Sequence, residues 1–477
     1  MKNQLTGPVL IGSFVIFCAL AASIYYTQQN HSNPTREMQS QKKNKAKFKN
    51  DRDLELGSIS EVQTQIPDEP SALFNDPAIK QAWGLKKTDA ARAWSVSRGS
   101  KKVIVAVIDT GLDINHEDLK NNLWRNPGET GLDAKGRDKA TNGLDDDNNG
   151  FVDDVHGWNF VSNNNKLDDN HGHGTHIAGI IGAEAGNKKG IVGISPDVSM
   201  MILKYFDPKV PNTDNLKNTI LAINYAIKMG AHIINYSGGG TEYSQDEHDA
   251  VEVADKRGIL FVAAAGNEHS NSDEHHYFPA DYKLKNIISV TAVDPTTEVL
   301  TSSNFGVETV DIAAPGQAIL SCLPNNTYGL MTGTSQATAF VTGAAVLVMS
   351  QKELYGNAEE VKKFILATGD SAPTLQTKTK TAKQLNLFKA LTILDRGTAI
   401  SGIKSVVDPR TYNVQAKNKI NYAEKNTASF EDPNNRIPKS KLLGFKDLIE
   451  AVNNNQKSNS PNKIRLGTKP ENNDNSN

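Results

Sequence analysis

The chain has 477 residues, 38% of them hydrophobic, with 52 Lys and Arg against 54 Asp and Glu. That near-neutral balance argues against a polybasic nucleic-acid binder, and the apolar content is enough for one large core within a length that suits about two or three domains. Cys18 and Cys322 are the two cysteines, too few for a disulfide-stapled scaffold.

The one long apolar run covers residues 8–26, preceded by Lys2 and followed by Gln28-Gln29-Asn30. A signal-peptide core spans about 7–15 residues before a small-residue cut site, which Ala19-Leu20-Ala21 supplies. A membrane span needs about 20 apolar residues, a length this run barely reaches. Residues 1–27 are therefore read as an export signal, with a membrane tether as the alternative. Phe17 is bulky where a lipoprotein signal before Cys18 requires a small residue. Residues 28–75 are polar and contain the basic cluster Lys42, Lys43, Lys45, Lys47 and Lys49, which fits a linker or short propeptide.

From there the chain alternates. Strands are expected over 103–108, 198–204, 231–236, 259–264 and 287–293. Helices are expected over 216–229, 248–257, 335–350 and 358–368. The run from Val103 to Ile108 is apolar at every position, as a strand buried on both faces should be. This rhythm predicts an α/β fold with a doubly wound, mostly parallel sheet and helices on both faces. Ligand sites in such sheets lie outside the carboxyl ends of the strands. Asp109, Ser237 and Asn267 all fall at or just after such ends.

Four motifs occur in order: Asp109-Thr110-Gly111, His173-Gly174-Thr175-His176, Ala265-Gly266-Asn267 and Gly333-Thr334-Ser335. Each has a plain reading by itself. Asp-Thr-Gly marks aspartic proteases, but those need two facing carboxylates and there is one copy here. His171, His173 and His176 suggest zinc, yet they lack the two-His helical spacing with an intervening Glu. Asn267 fits a turn, and Ser335 a helix cap.

Together the four motifs resemble the subtilisin-like serine proteases over roughly residues 76–394. The resemblance implies a nucleophile at Ser335, a general base at His173, an orienting acid at Asp109 and an oxyanion donor at Asn267. It also implies polypeptide substrates. An extended peptide would pair with the backbone of Ser237, Gly238 and Gly239, while Ala265 and Gly266 would form the opposite wall. The family often has a bulkier residue at Gly238, and its absence suggests a wider pocket. Gln336 and Ala339 depart from the usual Met and Pro, at positions that pack behind the serine.

The acidic stretch Asp145-Asp146-Asp147-Asn148-Asn149-Gly150 offers oxygens at alternate positions. Asp145, Asp147, Asn149, Asp153 and the Phe151 carbonyl form a candidate Ca2+ loop, although His156 stands where an EF-hand carries its bidentate Glu. The alternative is a solvated acidic insertion. The resemblance adds a second calcium position at Asp118 and Asn187, near Lys188 and Lys189. After an expected closing helix over 385–394, residues 395–477 are rich in Asn, Lys, Ser and Pro and read as a disordered tail.

The expected protein is an exported, monomeric serine endopeptidase with structural Ca2+, acting on polypeptides and not on nucleic acid. Two rivals are a catalytically silent binding module on the same fold, and a metal-binding surface protein built on the acidic loop and histidines.

Overall fold

The computed structural model describes residues 68–393. The readings of residues 1–27 and 395–477, and of 28–67 within the linker, lie outside that range. Among the described residues, no helix is long and apolar enough to cross a membrane. Within residues 68–75, read as linker, Pro70, Leu73 and Phe74 already pack against the domain. Pro70 is buried, and the Phe74 ring meets Trp94 edge-on with centroids 5.1 Å apart.

Short helices α1 (Trp83–Lys87) and α2 (Ala90–Trp94) lead into β1 (Gly99–Asp109). A long irregular stretch holds the brief β2 (Gly157–Asn159) before α3 (His173–Gly182). Then β3 (Asp197–Lys204), α4 (Asn215–Lys228), β4 (Ile233–Tyr236), α5 (Gln245–Lys256), β5 (Leu260–Ala264), β6 (Ile287–Val293) and β7 (Ile312–Pro315) follow. A hairpin of β8 (Ile319–Leu323) and β9 (Thr327–Met331) precedes α6 (Thr334–Lys352) and α7 (Ala358–Thr368). The described residues end with β10 (Asp370–Ser371), β11 (Lys383–Gln384) and α8 (Leu387–Thr392).

The main sheet has nine strands in the order β10-β11-β7-β6-β5-β4-β1-β3-β2. Its pairs are parallel except β10 with β11. From β1 the chain goes to the edge strand β2, fills the gap with β3, and crosses to β1's other side at β4. That reversal opens a crevice at the carboxyl ends of β1 and β4.

Side-chain alternation along the strands sorts the core into two layers. Val103, Val105 and Val107 of β1 join the layer that holds α3 and α6, while Ala106 and Ile108 face the layer of α4 and α5. Helix α6 runs through the first layer, and every residue from Thr334 to Met349 is buried. A helix with small and apolar residues on all sides has no solvent face to offer, so its N-terminus is placed as rigidly as a central strand. Helix α5 begins three residues before the expected 248, because the Ser244 hydroxyl caps it by accepting from the Glu247 N–H.

Candidate active site

Asp109 ends β1 and His173 opens α3. Asp109 is 3% exposed, and its Oδ1 accepts hydrogen bonds from His173 Nδ1 at 2.7 Å and from the Thr110 N–H at 2.8 Å. With Nδ1 donating, Nε2 is left as the ring's lone-pair nitrogen. Burial by itself depresses the basicity of His173, but the charge and hydrogen bond of Asp109, with a contribution from Asp169, outweigh it, and the net direction is upward.

This contact requires a glycine next to the histidine. A Cβ on Gly174 would stand 2.1 Å from the Gly111 carbonyl oxygen and 3.2 Å from Asp109 Cβ. Asp169 secures the start of α3 from the other side. Its carboxylate accepts from the N–H groups of His171, Gly172 and Thr175 and from the hydroxyls of Thr175 and Thr110. Thr110 Oγ1 in turn accepts from the Gly174 N–H. Sequence reasoning missed Asp169. An acid just ahead of a helix start was the available signal.

Ser335 lies in the first turn of α6 and is 7% exposed. Its hydroxyl donates to the Ser237 carbonyl at 3.1 Å. Ile108 pairs with Tyr236 in the parallel register, so Asp109 and Ser237 leave adjacent strands side by side. Asp109 with its bound His173, and Ser237 with its bound Ser335, thus lie at the ends of neighbouring strands. The serine N–H belongs to the free first turn of a long helix, a position that favours negative charge.

Asn267 follows β5 and is exposed. Its Oδ1 accepts from the Thr334 N–H at 3.0 Å and the Thr334 hydroxyl at 3.2 Å. Clamping the oxygen fixes the amide plane and leaves the NH2 group as the side chain's donor. Thr334 belongs to the Gly333-Thr334-Ser335 motif, but its hold on Asn267 was not read from the sequence.

The two candidate walls leave the sheet together, since Tyr236 pairs with Ala263. Residues 237–239 are half-buried to exposed, whereas Ala265 and Gly266 are buried. Asn304, another residue not singled out, pins the buried wall: its Nδ2 donates to the Ala265 carbonyl and its N–H to the Gly266 carbonyl. The space beside Gly238 is not open. A Cβ there would lie 2.5 Å from the Tyr205 hydroxyl and 3.0 Å from that of Tyr236, so those rings use the room the glycine leaves. Gln336 and Ala339 are buried in α6 behind the serine.

A family model described as the subtilase family matches residues 100–389. The chain belongs to the subtilase family. That membership makes it a serine-type endopeptidase by class. Thermitase of Thermoactinomyces vulgaris is 33% identical to this subtilase over 321 residues, covering 66% of the chain and 98% of thermitase. A thermophilic serine proteinase of Bacillus sp. strain AK1 is 31% identical over 353 residues, covering 71% of the chain and 77% of that proteinase. Subtilisin-like protease 2 of Plasmodium falciparum isolate 3D7 is 33% identical over 307 residues, 63% of the chain, which spans only 21% of that relative's length.

Among the described residues, His171 and His176 form no metal cluster with His173. His176 is fully buried, its Nε2 faces the Ile319 and Gly329 carbonyls at 3.0 and 3.2 Å, and burial pushes it down to about 4. It serves as a neutral packing residue in this subtilase. Among the described residues, the group of acids that converges is Glu129, Asp147 and Asp154, with carboxylate oxygens all within 4.8 Å of one another. Asp147 was a predicted ligand; Glu129 and Asp154 were not. Asp154 is held by Asn126, Asn149 and the Tyr225 hydroxyl. Glu129 is fully buried, its Oε2 meets no partner, and burial, followed by the neighbouring carboxylates, pushes it up to about 7.

The other predicted loop residues take local roles. Asp145 accepts from the N–H groups of Asn149 and Gly150, and Asp153 accepts from that of Gly143. Asn149 donates its amide to Asp147 and Asp154, and the Phe151 ring packs edge-on against Trp158 and Tyr225. At the second position, Asn187 Nδ2 donates to Asp118 Oδ1 at 2.6 Å, bringing both residues together. Asp76 joins them through the N–H groups of Gly186 and Asn187. Of the lysines nearby, Lys189 is turned away onto Glu117 at 3.2 Å.

Proposed function

We propose that this subtilase cleaves polypeptides through an acyl-enzyme formed on Ser335. The Ser335 hydroxyl rotates from the Ser237 carbonyl to His173 Nε2. Oγ then attacks the scissile carbonyl carbon while its proton passes to Nε2. Asp109 holds the ring and stabilises the imidazolium. The Asn267 amide and the Ser335 N–H bind the oxyanion. The imidazolium returns the proton to the leaving amine, and water, deprotonated by the same nitrogen, attacks the ester and releases the acid. The observation that carries this reading is the 2.7 Å contact of His173 with Asp109 beside a serine at a buried helix N-terminus.

The deciding experiment is fluorophosphonate labelling alongside casein hydrolysis. Both should occur in the mature wild type and vanish in Ser335→Ala. A folded, mature wild type that takes no label favours the silent binding module instead.

We further read the acidic loop as a structural Ca2+ site held by Glu129, Asp147 and Asp154. Three carboxylates from two segments, one with a fully buried oxygen lacking any partner, suit a hard cation that prefers oxygen. Bound there, calcium would neutralise the cluster and tie the loop around 145–154 to Glu129. Asp118, Asn187 and Asp76 form a second, weaker candidate. The apolar run at 8–26 supports export, or a tether if it is retained. N-terminal sequencing of protein from cells separates the two, since a start at Met1 excludes cleavage after Ala21.

A further inference from the structure

A tyrosine ring stands between the two candidate substrate walls. A Cβ on Gly239, in the outer wall, would lie 2.5 Å from Tyr277 Cε1 and 3.0 Å from its Cζ. A Cβ on Gly266, in the inner wall, would lie 3.0 Å from Tyr277 Cδ2. Both glycines therefore make room for the same ring. The space that two side-chain-free walls would leave to a substrate residue is filled from within the chain.

The ring is not free to swing aside with its backbone. Phe278 exchanges backbone hydrogen bonds with Gly240, at 2.7 Å from its N–H and 2.9 Å to its carbonyl. The Tyr277 N–H donates to Asp281 Oδ2 at 2.8 Å. Glu268 closes the same corner. Its Oε2 accepts from Asn304 Nδ2 at 2.7 Å and would meet a Cβ on Gly266 at 2.4 Å. Burial holds the tyrosine hydroxyl neutral, so the plug adds bulk without charge.

We propose that Tyr277 sets the substrate class, by restricting the residue on the acyl side of the scissile bond to small side chains such as glycine, alanine and serine. This rests on the reading of Ser335 as nucleophile and of 237–239 and 264–266 as substrate walls. The residue whose carbonyl meets Ser335 and Asn267 directs its side chain between those walls, and there it meets the ring. A pocket discriminates one methylene by roughly 10- to 200-fold in kcat/KM, so a side chain that meets the ring is disfavoured by at least about tenfold.

The test is a set of otherwise identical peptides varied only at the acyl-side residue, hydrolysed by mature wild type, Tyr277→Ala, Tyr277→Phe and Ser335→Ala. In the wild type, kcat/KM after alanine should exceed that after phenylalanine or leucine by about tenfold or more. Tyr277→Ala should raise the phenylalanine-to-alanine ratio by roughly 100-fold, and Tyr277→Phe, which keeps the ring, should leave that ratio as in wild type. Wild type that cleaves after phenylalanine or leucine as readily as after alanine overturns the proposal without any variant. So does a ratio that Tyr277→Ala leaves in place. Hydrolysis that persists in Ser335→Ala marks a different failure, of the nucleophile itself, and removes the basis of the proposal with it.

Discussion

In the crevice, Asp109 is 3% exposed and its Oδ1 accepts from one imidazole and one backbone N–H. Beside the acidic loop, Glu129 is fully buried next to two other carboxylates; its Oε1 accepts from the Asp146 N–H, and its Oε2 meets no partner. The first carboxylate has two donors on Oδ1 from within the chain. Its satisfaction leaves one reactive atom, His173 Nε2, unengaged. The second has an unmet oxygen where three negative groups crowd, so its completion requires a cation or a proton. The buried Asp109 oxygen faces donors, whereas one buried oxygen of Glu129 faces other carboxylates.

The sharpest way to break the crevice side of this contrast is at the oxyanion donor. Asn267→Ala should lower kcat by roughly 100- to 1,000-fold with little change in KM. Unchanged turnover removes Asn267 from the chemistry. Thr334→Ala loses the hydroxyl clamp on Asn267 Oδ1 but keeps the N–H, and kcat should fall by a smaller factor, about tenfold. Gly174→Ala probes the other end. The Gly111 carbonyl 2.1 Å from the added carbon cannot yield without shifting β1 or α3. A displacement of about 1 Å between His173 and Asp109 costs about 100-fold in kcat/KM, measurable on protein whose circular dichroism remains native.

The loop side is tested by metal. If calcium binds at Glu129, Asp147 and Asp154, a concentration about 100 times Kd stabilises the fold by about 2.7 kcal/mol. At about 2–4 °C per kcal/mol for a domain of this size class, chelation should lower Tm by about 5 °C or more. Glu129→Gln should abolish most of that calcium response. A chelator effect that survives the substitution moves the site to Asp118, Asn187 and Asp76, and no effect at all returns the loop to a solvated insertion.

The contrast also explains what could be read in advance. Asp109, Ser237 and Asn267 stand at strand ends, and His173 and Ser335 at helix starts. Hydrophobic periodicity locates such termini, so the fold and the crevice were legible together. Glu129 was not. It lies in irregular chain with no period, and it meets Asp147 only after the loop has folded back. Asn304 and Tyr277 were hidden for the same reason: each acts across the fold on a wall that another segment supplies. The spare room expected at Gly238 was a matter of packing, decided by Tyr205 from the segment after β3. A glycine in sequence indicates a close approach without saying what approaches.

The smallest effect concerns Asp169, which both caps α3 and adds negative charge near His173. Negative charge favours the imidazolium, so it raises the pH at which the base loses its proton. Asp169→Asn keeps the size and part of the hydrogen bonding but removes the charge. The pKa of His173 should then fall, the base should stay neutral to lower pH, and the acid limb of kcat/KM should move downward by a few tenths of a unit, about 0.5 kcal/mol or less. High salt should shrink that shift only slightly, because Asp169 is nearly buried. If kcat/KM drops at every pH while the limb stays in place, Asp169 acts through the cap alone, and the upward direction at His173 belongs to Asp109.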